Sequence, residues 1–206
     1  MATREWQAER EAYGQAAGWF VRVAQAVDGG WDRPGLGEWT VRDLVGHTSR
    51  ALLTVDSYLS QPAAAADVAS PIDYFVAVSA APGSAAAVAE RGRQAGAALG
   101  DQPAAAVADM AERVLSRVAG AEPDELMTTP AGGIRLADYL PTRTFELTVH
   151  TCDLAAAVGA EQTVPEGAAT VTAGLIGALA ARTGRAAPLL LATTGRGPLP
   201  DGYSVL

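Results

Sequence analysis

The chain has 206 residues, 49% hydrophobic and 18% charged, with a net charge of -8, which fits one domain, or one domain with a small appendage, around a substantial core. Its alanine-rich composition favours helix over disorder. The acidic balance argues against attraction to phosphate backbones, so no nucleic-acid partner is expected, and because all 15 basic residues are arginine, a Schiff-base lysine and the lysine of a Walker A loop are excluded.

A single cysteine, Cys152, cannot close an internal disulfide, and the opening MATREWQAER lacks the apolar centre of a signal peptide. No uninterrupted apolar run reaches the roughly 18 residues of a membrane span. A soluble, cytoplasmic protein with no membrane partner is the expectation.

Helical spacing of Tyr13, Phe20, Val23 and Val27 predicts a first helix over residues 5–27, closed by Asp28-Gly29-Gly30. Thr40, with Asp43 three residues on, is placed as a capping box for a second helix over residues 41–60. The stretch QPAAAADVASP reads as a connector. Helices over residues 72–80 and 84–99 should follow, separated by Pro82-Gly83, and then one over residues 103–118 with Asp101 as its cap. ELMTTPAGGIRL has the composition of a short hairpin or irregular loop. A helix over residues 137–158 carries Pro141 at or just past its first turn and ends at Gly159 as a C-cap. A further helix is predicted over residues 165–182. PLLLATTGRGPLPDGYSVL reads as two short strands around a Gly/Pro turn, expected to pair with ELMTTPAGGIRL as a small sheet at one end of the bundle or to lie on its outside.

The stretch RTFELTVHTCDL places Arg143, Glu146, His150 and Asp153 on one line of the helix at about 100° per residue. Apolar stripes flank that line, with Phe145, Val149 and Cys152 on one side and Leu147, Leu154 and Val158 on the other. Thr144, Thr148, Thr151 and Ala155 then make up the face expected to meet water, and the charged line is turned inward. Buried charge needs a partner or a metal. Glu146 and His150 project from consecutive turns, and His47 falls on the apolar side of its own helix, so two imidazoles and a carboxylate make a His₂Glu set suited to catalytic zinc. The plainer reading leaves two ordinary buried histidines and a Glu146–Arg143 pair. Asp153 either orients His150 or pairs with Arg143, Asp43 is expected to serve as a cap, and Cys152 reads as a small buried hydrophobe. Trp6, Trp19, Trp31 and Trp39 read as core and loop anchors.

EWTVRDLVGHTSR and RTFELTVHTCDLAAAVG resemble the two signature segments of the mycothiol-dependent maleylpyruvate isomerase family, within the DinB-like metal-binding bundles; the resemblance spans roughly residues 5 to 160. It implies a mainly α, up-down four-helix bundle over residues 1–160, with residues 161–206 as a helix and short strands packed on the same domain. It further implies a divalent metal, usually zinc, on His47, Glu146 and His150. The cosubstrate would be a low-molecular-weight thiol such as mycothiol, and the substrate a small electrophile. Metal-activated thiolate would add to that electrophile, leaving again in an isomerase and remaining in a transferase. Arg143 is then a candidate to bind a substrate carboxylate or to pair with Glu146 or Asp153, and Asp153 a candidate to assist His150. Isomerases of the family carry a further C-terminal domain that contributes to the active site, in contrast to the helix and hairpin expected here, so maleylpyruvate itself is not the expected substrate. A metal-dependent hydrolase and a non-catalytic metal-binding module are the alternatives, as monomer or homodimer.

Overall fold

Helical periodicity accounts for most of the chain. The computed structural model describes residues 2–80 and 85–206. Helices α1 (Ala2–Gln25), α2 (Val41–Leu59), α3 (Pro71–Ala80), α4 (Ala85–Ala98) and α5 (Pro103–Ala119) lead to a hairpin of β1 (Leu126–Thr129) and β2 (Gly132–Arg135). Helices α6 (Leu136–Val158), α7 (Glu166–Arg182) and α8 (Ala186–Thr193) follow. The turn expected at Pro82-Gly83 and the helix start at Ser84 lie outside the described residues.

The capping signals act locally as their chemistry requires. Thr40 Oγ1 accepts from the Asp43 N–H at 3.2 Å while the Asp43 carboxylate accepts from the Thr40 N–H at 3.0 Å, closing the capping box of α2. Gly159 ends α6 in the left-handed conformation, φ 69°. The expected Asp101 cap is not formed. Gln102 is the N-cap, without a side-chain bond, because Pro103 at the first position already excludes the preceding residue from the helix. Pro141 sits inside α6 rather than in its first turn.

Four packed pairs, α1 with α5, α5 with α2, α2 with α6 and α6 with α1, close a ring around the core. Tyr13, Phe20, Leu44, Leu52, Leu147 and Leu154 are among its fully buried side chains. The bundle makes α2 and α6 neighbours, which is the arrangement the site needs. Helix α4 packs against α2 from outside the ring with backbones almost touching: a Cβ on Gly46 would stand 2.1 Å from the Gly96 nitrogen, and one on Gly96 would stand 2.8 Å from the Arg42 carbonyl oxygen. Any larger side chain at either position would force the helices apart.

Helix α6 corrects the expected orientation. Thr144, Thr148, Thr151 and Ala155, expected to face water, are buried at 3% exposure or less. Thr148 donates its hydroxyl to the Thr144 carbonyl at 2.7 Å and Thr144 to that of Leu140 at 3.3 Å, so a small polar side chain can be buried without an external partner. The physical reason is the crowding of this helix by α1, α2, α3 and α7, which leaves no broad wet face for periodicity to find. The line of Arg143, Glu146, His150 and Asp153 is half-buried instead.

The C-terminal segment is a second correction. No strand forms there among the described residues; Leu189, Leu190 and Leu191 lie in α8, and strong helix formers with no free sheet edge beside them follow their local preference. Segment 61–68, not the tail, flanks the hairpin: Thr128 donates to the Gln61 carbonyl at 2.7 Å and Asp67 to that of Gly133 at 2.8 Å. The tail packs elsewhere, with Val205 against the cluster of Phe75, Phe145, Leu175 and Leu179.

The glycine contact yields a paired prediction. Gly46→Ala gains intrinsic helix propensity yet should lose about 1–3 kcal/mol through overpacking, whereas Gly174→Ala, with nothing within 4 Å of the added methyl, should gain about 0.5–1 kcal/mol. Urea denaturation checks both; equal shifts at the two sites would contradict the close helix approach.

Candidate metal centre

His47 is carried on α2 directly after Gly46, and Glu146 and His150 are carried one turn apart on α6. The bundle brings all three together: one potential ligand atom from each lies within 4.8 Å of the others, and all three residues are half-buried. His150 Nε2 stands 3.3 Å from Glu146 Oε2. In a tetrahedral zinc site with bonds of about 2.0–2.1 Å, adjacent ligand atoms are about 3.3–3.4 Å apart, so this pair already spans one edge of such a site. The rings of His47 and His150 meet edge to face, centroids 4.7 Å apart and planes at 86°. The donor set and its spacing fit a divalent cation.

The electrostatics fit it too. Burial works against the charged form of His150, but its hydrogen bonds to Asp153 and Glu146 and the charge of both carboxylates outweigh that and raise its pKa to about 9. His47 moves the other way, to about 4, because burial and the neighbouring His150 charge dominate over the attraction of Glu146. Burial would raise the Glu146 pKa, yet the His150 hydrogen bond and the Arg143 charge bring it below the ordinary value. The metal-free site thus keeps one imidazolium between two carboxylates and one neutral imidazole beside it.

Asp153 lies behind His150, with Oδ2 3.1 Å from Nδ1, leaving Nε2 on the Glu146 side. This is the arrangement that fixes the tautomer of a ligating histidine. Arg143 makes no ion pair with Glu146 or Asp153 among the described residues. Its guanidinium lies over the rings of Tyr139 at 4.8 Å and Tyr74 at 5.5 Å, and Nε donates to Thr142 Oγ1 at 3.0 Å. Cys152 is half-buried, and burial together with the Asp153 charge pushes its thiol pKa up, as befits a small apolar side chain rather than a thiolate. Asp43 is spent in the capping box.

Two parts of the surroundings escaped sequence reasoning. Tyr74 reaches Arg143 from α3, which no local pattern announces, whereas Tyr139 lies one turn before Arg143 on α6, a spacing of four that the helical period does announce. Trp39, expected to be an anchor only, packs against the His47 ring at 4.4 Å between centroids. Its place just before the Thr40 N-cap is a signal for packing on its own helix, but the staple rule would seat it on Leu44 and not on His47.

Residues 13–155, well over half the chain, match the family described as the mycothiol maleylpyruvate isomerase N-terminal domain. The match contains His47, Arg143, Glu146, His150 and Asp153. No curated protein and no solved structure matches the chain. The resemblance carried by the two signature segments therefore stands on the family match and the bundle together: the chain belongs to the mycothiol maleylpyruvate isomerase N-terminal domain family.

Proposed function

We propose that this protein is a zinc-dependent, thiol-activating enzyme that joins mycothiol or a similar low-molecular-weight thiol to a small electrophile, as a transferase or an isomerase. The observation that carries the reading is the convergence of His47, Glu146 and His150 from two helices within 4.8 Å. A divalent ion bound there would supply positive charge that stabilises a thiolate over its thiol at neutral pH. Three protein ligands leave a position open for that thiol.

The remaining roles fall to the chain's own groups. His47, Glu146 and His150 are the proposed ligands. Asp153 accepts a hydrogen bond from the Nδ1–H of His150 and so directs Nε2 toward coordination. Arg143, a cation without a carboxylate partner among the described residues, is the proposed site for a carboxylate or other anionic group of the electrophile. Cys152, held as a neutral thiol, does not supply the nucleophile, so the thiol comes from a cosubstrate. The hydrolase alternative is less well supported: it needs a free general base, whereas Asp43 closes the α2 cap and Asp153 is engaged with His150.

Metal analysis tests the ligand set. Protein purified without a histidine tag should hold about one zinc per chain under three protein ligands; His150→Ala should lose it and Cys152→Ser should keep it. A chain that takes up no zinc on dialysis contradicts the reading.

Proton linkage gives a second test. At pH 7 the metal-free site carries its proton on His150, whose pKa is about 9, and none on His47, whose pKa is about 4. Metal binding should therefore release about one proton at pH 7, and apparent affinity should rise about tenfold per pH unit until it levels near pH 9. Calorimetry in buffers of different ionisation heat measures this directly. Binding without proton release at pH 7 would show that His150 is not the protonated ligand.

Thiol binding separates the transferase from the hydrolase. Mycothiol added to cobalt-substituted protein should produce a sulfur-to-cobalt charge-transfer band in the near ultraviolet. An unchanged spectrum at saturating thiol would favour the hydrolase or a non-catalytic site.

A further inference from the structure

The two histidines of the centre are held in different ways. His150 has the usual orienting partner of a ligating histidine, a carboxylate on its far nitrogen, at 3.1 Å. His47 has none: its Nδ1 is buried without a hydrogen-bond partner among the described residues. Among the described residues no hydrogen bond to Nδ1 fixes the tilt of that ring, so packing bears on it.

The packing is specific. The Trp39 indole lies against the His47 ring with centroids 4.4 Å apart and planes at 32°, and His150 meets the same ring edge-on. Trp39 is itself secured from three directions. Its backbone N–H donates to the Leu36 carbonyl at 2.9 Å and its carbonyl accepts from the Gly35 N–H at 2.8 Å. Its indole Nε1–H donates to the Ala89 carbonyl of α4 at 3.0 Å. The ring then occupies the space a side chain at position 92 would fill, since a Cβ on Gly92 would stand 2.7 Å from it. Helix α4 contributes none of the three convergent groups, yet through Trp39 it bears on the orientation of His47.

We propose that Trp39 is the positioning residue for His47, taking the part that Asp153 plays for His150, and that Gly92 is required to seat it. The proposal rests on the reading of the three residues as metal ligands, and its test keeps the two separable. Replacing an orienting group around a metal ligand costs about 10- to 100-fold in affinity. Cobalt titration of the full chain should show a loss of that size in Trp39→Leu, with a changed visible d–d envelope at saturating cobalt. Trp39→Phe, which keeps an aromatic face, should recover most of both. In metal-free protein, the His47 ring protons should lie upfield from the indole ring current and move toward ordinary values in Trp39→Leu. The chain has only two histidines, so those signals are readily assigned.

If Trp39→Leu lowers the melting temperature while leaving cobalt affinity, the d–d envelope and the His47 shifts unchanged, Trp39 is a structural anchor and the proposal is overturned. Should that variant not fold, Gly92→Ala is read in its place: displacement of the indole is expected to weaken cobalt binding and shift the His47 signals, and no change in either overturns the proposal. Failure of the wild-type chain to bind cobalt would remove the metal reading instead, and the His47 ring shifts would still decide whether Trp39 holds the ring.

Discussion

The bundle's organising constraint is the burial of ionisable groups between α2 and α6. Glu146 and His150 are only 25% and 18% exposed at their side chains, and Asp153 backs His150 from the next turn. Groups so placed are costly unless each charge is answered. In the metal-free chain the answer is an imidazolium shared by two carboxylates; with a cation in place, Glu146 and the two imidazoles would turn their charge and lone pairs toward it, with Asp153 still behind His150. The metal-free answer is built within α6 alone, whereas a cation held by all three ligands requires α2 to keep His47 beside that helix.

The turn of α2 that bears His47 is positioned by packing away from the polar groups. The contact between Gly46 and Gly96 brings α4 onto α2 at the turn that bears His47, and the absence of a side chain at Gly92 admits the Trp39 indole beside the same histidine. Two glycines of α4 that weaken its intrinsic helicity thus serve tertiary packing. On the other side of the centre, α6 is enclosed by α1, α2, α3 and α7, so the backbone bearing Glu146 and His150 is held on several faces. The centre therefore has one histidine oriented by a carboxylate and one by an aromatic ring.

Much of this was legible in the sequence because the helical period projects residues three and four apart onto one line. That projection connects Glu146, His150 and Asp153, and the Thr40–Asp43 capping box marks the start of the helix bearing His47. What it lacks is the identity of the neighbours. Thr144 and Thr148 look suited to water because threonine is polar, but a hydroxyl that bonds back along its own helix can be buried, and only the crowding of α6 decides. Leu189 to Leu191 fit a strand or a helix equally by pattern; the hairpin edge that could have made them a strand is flanked by segment 61–68. The role of Trp39 depends on Gly92, more than fifty positions away in sequence, and Tyr74 reaches Arg143 from α3. Such pairings are set by tertiary contact, which local periodicity does not encode.

X-ray absorption at the zinc edge, on protein loaded with one zinc per chain, tests the central claim most directly. The account predicts a first shell of nitrogen and oxygen donors at about 2.0–2.1 Å, with the outer-shell scattering of two imidazoles, reduced to one in His47→Ala. A shell without imidazole scattering, or one unchanged by that substitution, would place the metal elsewhere and contradict the account.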